Sequence, residues 1–389
     1  MVFRDAYNNA VGRNMTAVRE WSQVRRIVVK VGTSTLTYPN GKLNLIRIEQ
    51  LVRELADLHN QDKEVILVSS GAVAVGASRM KFQQLPKTVP EKQALAAIGQ
   101  GALLHLYERL FSEYNQTVAQ VLLTRGDFDQ RLSYINAANA LQAILSIKAI
   151  PIINENDTVS TVEIKFGDND TLSAMVAAML DADLLILLSD VDGLYDQDPK
   201  NSAKAILLHT VSEITAEMEN NSIHKGSSFS SGGMLTKLKA ARVCMAANIP
   251  MIIANNSILN IIHRLLDGEV IGTLFVPRSE KMNARKKWLA FGSLTHGTIV
   301  IDEGAGLALV EKGKSLLPSG IVKVIGDYER GTMVQVENTE GQEIARGITN
   351  YSADETRLIA GSRSSDIESI LNSKDYDEVI HRNNLWVEK

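Results

Sequence analysis

Through the first two-thirds of the chain, short apolar runs alternate with longer stretches whose apolar residues recur every three or four positions. Residues 27–31, 65–68, 118–123, 149–153, 183–188 and 250–254 are strand-length runs rich in Val, Ile and Leu. Between them, Leu45, Ile48, Leu51, Val52, Leu55 and Leu58 fall on one stripe, which predicts a helix over 45–60. Similar spacing predicts helices over 93–111, 132–148, 171–180 and 235–247. The strands are apolar at successive positions instead of alternating. That pattern requires cover on both faces, so it predicts an open, mainly parallel sheet with helices on either side, an α/β domain.

Beyond residue 276 the pattern changes. A charged stretch (Arg278, Glu280, Lys281, Arg285, Lys286, Lys287) reads as a linker or connecting helix. Short β segments are then expected at 298–302, 308–311, 321–325, 333–336 and 344–348. Gly304, Gly313, Gly320, Gly326, Gly331, Gly341 and Gly347 punctuate them, which predicts a small β-barrel or sandwich. The expected organisation is an N-terminal extension over 1–23, helical around 16–21, then an α/β domain over 24–276. A linker over 277–294, a β domain over 295–375 and a tail over 376–389 follow.

Composition narrows the function classes. At 389 residues the chain is long enough for two or three domains. With 45% hydrophobic and 22% charged residues it is globular and not disordered. The net charge of −4 gives no basic footprint. From Gly297 onward, 10 Lys and Arg face 16 Asp and Glu, the wrong sign for a phosphate backbone, so nucleic acid is not an expected partner. The single cysteine, Cys244, excludes an internal disulfide framework and reads as core packing on the 235–247 helix. No run approaches the roughly 20 apolar residues of a membrane span, and Asp5, Asn8, Asn9, Arg13 and Arg19 interrupt any signal-peptide pattern. A cytoplasmic protein without membrane contact is the expectation.

Parallel sheets bind ligands at the carboxyl ends of their strands. Those ends carry Lys30-Val31-Gly32-Thr33-Ser34, Ser69-Ser70-Gly71-Ala72, Asn154-Glu155-Asn156-Asp157 and Ser189-Asp190. Phe166-Gly167-Asp168-Asn169-Asp170 and Ser231-Gly232-Gly233-Met234-Leu235-Thr236-Lys237 each precede a helix. A glycine-rich turn running into a helix N-terminus suits a phosphate. Neither the Walker A spacing nor a dinucleotide fingerprint is present. Taken singly, each segment is equally an ordinary solvated lysine, N-cap, Asx-rich turn or loop. The functional reading rests on all of them sharing strand ends in one domain. The histidines and the cysteine show no metal-ligand spacing, so no protein-held metal is expected.

Together these motifs resemble the amino-acid kinase superfamily. The opening strand Arg26-Ile27-Val28-Val29-Lys30-Val31-Gly32-Thr33-Ser34 resembles its phosphate loop. The remaining segments, Val68 to Ala72, Ile153 to Asp157, Gly167 to Asp170, Leu188 to Asp190 and Gly232 to Lys237, resemble its glutamate-phosphorylating branch, which opens proline synthesis. The tail resembles a PUA domain, with Gly304, Leu316-Leu317-Pro318-Ser319-Gly320-Ile321 and Gly331. The resemblance runs from about Val24 to the C-terminus. The chain departs from the pattern in its longer N-terminus and in Ser189, where some relatives carry Thr.

The resemblance implies phosphorylation of the γ-carboxylate of L-glutamate by ATP with Mg²⁺. It implies that Lys30 and Lys237 contact the ATP phosphates, and that Asp168 and Asp170 organise the lysines and the substrate amine. Nucleotide binding is implied for Ser189, Asp190, Ser231, Gly232, Gly233, Met234, Leu235 and Thr236, and glutamate binding for Ser70, Asn154, Asp157 and Asn169. It further implies inhibition by proline, a homo-oligomer (dimer or tetramer) and a separate glutamyl phosphate reductase. Such an acceptor is already ionised at pH 7, with a side-chain pKa of about 4.3, so no general base is needed; cation density is. Kinases of the same superfamily acting on aspartate, N-acetylglutamate, carbamate or UMP remain the alternatives.

Overall fold

The computed structural model describes residues 19–387 except 20, 39, 83, 161–168, 198, 200, 201, 203, 222–232 and 278–294. The charged linker, Asp168, Ser231, Gly232 and most of the N-terminal extension lie outside the described residues. Of the stretch expected to be helical around 16–21, only Arg19 and Trp21 are described, and neither is helical. The Arg19 guanidinium is buried and donates to the carbonyls of Ile271 (2.8 Å) and His209 (2.9 Å), tying the chain start to the sheet edge.

The eight strands of the first sheet are β1 (Arg26–Val31), β2 (Glu64–Ser69), β3 (Val118–Leu123), β4 (Ile150–Glu155), β5 (Leu184–Ser189), β6 (Thr210–Val211), β7 (Met251–Asn255) and β8 (Thr273–Phe275). Their order is β3-β4-β2-β1-β5-β7-β8-β6. Every pairing is parallel except β7 with β8. Helices α1 (Leu45–Asn60), α2 (Ala72–Arg79), α3 (Val89–Ser112), α4 (Arg131–Ser146), α5 (Asn169–Met179) and α6 (Met234–Ala246) cover it.

Side chains of a strand alternate between faces, and that alternation sorts the core into two layers. Ile27, Val29 and Val31 of β1 pack with Leu51 and Leu55 of α1 and Leu103 and Tyr107 of α3. Val28 packs on the other face with Leu172 and Val176 of α5 and Leu238 and Ala241 of α6. Parity therefore turns Lys30 toward α5 and α6. It turns Ser69 and Asn154 toward α3, because they follow Leu67 and Ile152 on that face. No helix among the described residues is long and apolar enough to cross a membrane.

Helices α2 and α3 cross with their backbones in contact. A Cβ built on Gly76 would sit 1.9 Å from the Leu95 carbonyl oxygen, and one on Gly99 would sit 1.8 Å from that of Ala72. Only glycine fits at this crossing. It fixes α3 against the turn at Ser69-Ser70-Gly71, where Gly71 takes a left-handed φ of +96° to start α2.

The second sheet holds β9 (Thr298–Ile301), β10 (Ile321–Ile325), β11 (Met333–Glu337), β12 (Glu343–Ile348) and β13 (Leu385–Val387) in the order β10-β9-β11-β12-β13. All its pairings are antiparallel except β9 with β11. It encloses its own core, built on Ile299, Ile301, Val334, Val336, Ala345, Tyr351 and Ile359. The segment 308–311, expected as a strand, instead ends helix α7 (Glu303–Val310). The Asp302 side chain caps that helix by accepting from the Ala305 N–H at 2.7 Å. Gly304 and Gly306 dilute the helical signal in its sequence. Strand β13, in the stretch expected to be a tail, pairs with β12.

Candidate active site

β1 lies between β2 and β5, and the polar strand ends meet above this point, as expected for a doubly wound sheet. Lys30, near the end of β1, and Lys237, in the first turns of α6, come from residues 207 positions apart in sequence. Both ammonium groups reach one carboxylate, that of Asp170, in the first turn of α5. Lys30 Nζ bonds one of its oxygens, and Lys237 Nζ lies 3.1 Å from Oδ2. The Thr236 hydroxyl is also 3.0 Å from Oδ2, and its oxygen lies 2.7 Å from the Gly233 carbonyl at the head of α6. Asp170 is fully buried, and each lysine is 7% exposed. Burial alone would raise the Asp170 pKa. The two lysines outweigh burial and hold its carboxyl well below the usual range, so it stays ionised.

A second cluster of amides and hydroxyls adjoins this one. The Asn169 side-chain N–H₂ reaches the Ser69 carbonyl (3.1 Å), the Ser70 hydroxyl (2.9 Å) and Asn154 Oδ1 (2.7 Å). Asn154 Oδ1 also accepts from the Glu155 N–H, and Asn154 Nδ2 donates to Gln100 Oε1, both at 2.8 Å. Asn169 Oδ1 is buried and has no hydrogen-bond partner among the described residues. A buried, unpartnered acceptor costs about 1–3 kcal/mol, and a ligand's donor would offset that cost.

The remaining expected residues among those described occupy the same ends of the sheet. Gly233 caps α6, and Met234 and Leu235 open it. Ser189 ends β5, and its hydroxyl lies 3.2 Å from Oδ1 of the exposed Asp190. Asp157 is half-buried in the turn after β4, three residues beyond Asn154. Gln100 and Tyr107 were not among the expected residues. Their signal was present in the sequence as polar positions seven apart on the helix that became α3.

Two protein-family patterns match the chain: the amino acid kinase family over residues 25–255 and the PUA domain over 297–371. The glutamate 5-kinase of Thermoanaerobacter sp. (strain X514) is 50% identical over 362 residues, spanning 93% of this chain and 97% of that protein. That of Caldanaerobacter subterraneus is 51% identical with the same coverage. That of Moorella thermoacetica is 50% identical over 366 residues, spanning 94% and 97%. The chain belongs to the glutamate 5-kinase family. Its first sheet is the amino-acid kinase fold, and its second, separate sheet is a PUA domain. Membership in a kinase family makes ATP the phosphoryl donor.

Proposed function

We propose that the chain transfers the γ-phosphoryl group of ATP to the side-chain carboxylate of L-glutamate, giving L-glutamyl 5-phosphate for proline synthesis. The observation that carries this reading is the convergence of Lys30 and Lys237 on Asp170 beside an amide cluster with a free buried acceptor. An anionic acceptor must approach an anionic phosphate, so the site needs cations more than it needs a base. At 4 Å and an effective dielectric of about 20, one lysine supplies about 4 kcal/mol of attraction as an upper figure. Asp170 fixes where the two ammonium groups stand, so little reorganisation remains when charge develops. The head of α6 adds backbone N–H groups beside Lys237, which suits the ATP phosphates.

In this reading Lys30, Lys237, Asp168 and Asp170 form the reacting end. Ser189, Asp190, Ser231, Gly232, Gly233, Met234, Leu235 and Thr236 hold the nucleotide. Ser70, Asn154, Asp157 and Asn169 hold the amino acid, with Asn169 Oδ1 accepting from its ammonium group. Magnesium fits as an ion carried by the nucleotide phosphates. Among the described residues no three His, Cys, Asp or Glu side chains converge as a metal cage, and Asp170 is committed to its lysines. When bound, the ion neutralises charge on the phosphate oxygens. The same reading includes a cytoplasmic homo-oligomer, inhibition by proline, and release of the labile product to a separate reductase. The domain limits proposed are 24–276 for the kinase domain and, for the PUA-like domain, 295 to 387 in place of the expected 375, because β13 belongs to its sheet.

Hydroxylamine traps an acyl phosphate as a hydroxamate. With ATP, Mg²⁺ and glutamate the protein is expected to form hydroxamate together with ADP. With aspartate, N-acetylglutamate, carbamate or UMP it should release no ADP above background. Turnover of one of those acceptors in preference to glutamate would overturn the reading. A second measurement concerns Asp157, whose carboxylate suits the substrate ammonium. Asp157→Ala should raise the glutamate KM by at least tenfold and leave the ATP KM nearly unchanged; equal rises in both would remove it from the amino-acid pocket.

A further inference from the structure

Helix α3 carries Gln93, Gln100 and Tyr107 at intervals of seven residues, close to two helical turns, so they share one face. Two reach the ends of different strands and one the segment after β4, all at the carboxyl edge of the sheet. Gln93 Nε2 donates to the Ser160 carbonyl at 3.4 Å, in the segment after β4. Gln100 Oε1 accepts from Asn154 Nδ2 at 2.8 Å. The Tyr107 hydroxyl lies 2.9 Å from the Ser69 hydroxyl at the end of β2, with Tyr107 wholly buried. The Gly76–Gly99 crossing holds this face in place, because Gly99 immediately precedes Gln100.

We propose that Gln100 is a positioning residue for the acceptor amino acid, acting through the orientation of the Asn154 amide. The inference rests on the function proposed above. A terminal amide can rotate by half a turn at small cost, exchanging its oxygen and nitrogen. The Glu155 backbone N–H, a donor that cannot turn, holds Asn154 Oδ1, and Gln100 Oε1 accepts from Nδ2 on the other side, so Nδ2 faces α3 while Oδ1 faces Asn169 Nδ2 and the Glu155 N–H. The flipped amide would set N–H₂ against both of those donors. With Asn154 in its observed orientation, the Asn169 N–H₂ is engaged and its Oδ1 is the group left over for a ligand's donor. Gln100 thereby secures, together with the Glu155 N–H, which atom of Asn169 the substrate meets.

The test compares Gln100→Met, which keeps the length and volume of the side chain but has no amide oxygen, with the wild type. It measures kcat and the KM for glutamate and for ATP. Gln100→Met is expected to raise the glutamate KM about tenfold, the scale of one buried donor left unpaired. The ATP KM and kcat should stay within about twofold. In an Asn154→Ala background the same substitution should add no further rise, because the residue it acts through is gone. Gln100→Leu repeats the comparison should the methionine variant fail to fold.

An unchanged glutamate KM, or an equal further rise in the Asn154→Ala background, would reduce Gln100 to packing and overturn the proposal. Wild-type protein run alongside separates the two levels. If the wild type does not turn glutamate over, the function falls and the inference with it. If the wild type turns over normally and the Gln100→Met KM is unchanged, only the inference falls.

Discussion

Lys237→Met is expected to lower kcat by about 10²–10³, the loss typical of one preorganised charge-stabilising group in a closed site. Methionine keeps an unbranched apolar stem of similar length, so the substitution removes the ammonium group and little else. Asp170 would retain Lys30 and the Thr236 hydroxyl, so no buried carboxylate is stranded and the protein should remain folded. The glutamate KM should change far less than kcat, because the ammonium is needed most as charge develops on the transferred phosphoryl group. Single-turnover formation of the trapped hydroxamate, with the thermal midpoint measured in parallel, checks both statements. Wild-type turnover by this variant would refute the lysine's role and leave the convergence on Asp170 a purely structural ion pair.

Gly99→Ala should destabilise the kinase domain by about 3 kcal/mol, the upper end of overpacking costs. The new methyl would lie 1.8 Å from the Ala72 carbonyl oxygen and 2.6 Å from the Gly76 nitrogen. These are backbone atoms, so no side chain can rotate away and the two helices must separate. For a domain of this size, that loss lowers the midpoint of its unfolding transition by about 10 °C. Gly101→Ala is the matched control. It lies on the same helix with nothing within 4 Å of its new methyl, and it should be neutral or gain up to about 1 kcal/mol from helix propensity. Calorimetry of both variants decides the matter; equal midpoints would mean that the crossing yields at little cost.

Much of the kinase domain was legible in the sequence because burial on both faces leaves strands without polar interruption. Helix Leu45–Asn60 and strand Val118–Leu123 lie where their spacing places them, the strand although it runs along the sheet edge with Gln120 exposed. Short edge elements were not legible. Thr210–Val211 and Thr273–Phe275 are too brief to show a period, and the antiparallel direction of β8 has no local signature. Helix α2 was hidden because Ala-Val-Ala-Val reads as an alternating pattern, and only its contact with α3 makes it helical. At the site, Lys30, Asn154, Asn169, Asp170 and Lys237 could be picked out as polar groups at strand ends and helix starts. That Asp170 organises the lysines came from the family resemblance and not from the local pattern, because the contact depends on the register between α5 and α6. Gln100 was missed because a half-buried glutamine in mid-helix looks like any surface position until Asn154 stands opposite it.

The shared carboxylate also governs how the resting site greets other anions. Counting Lys30, Lys237 and Asp170 alone, the cradle carries one net positive charge, not two. A lone inorganic phosphate would have to draw both ammonium groups partly from a buried counter-ion, with few other contacts to offset the loss. A nucleotide brings a base, a ribose and a chain of phosphates to the same exchange. Asp170 is thus the counter-ion that any anion entering the cradle must compete with for the two ammonium groups.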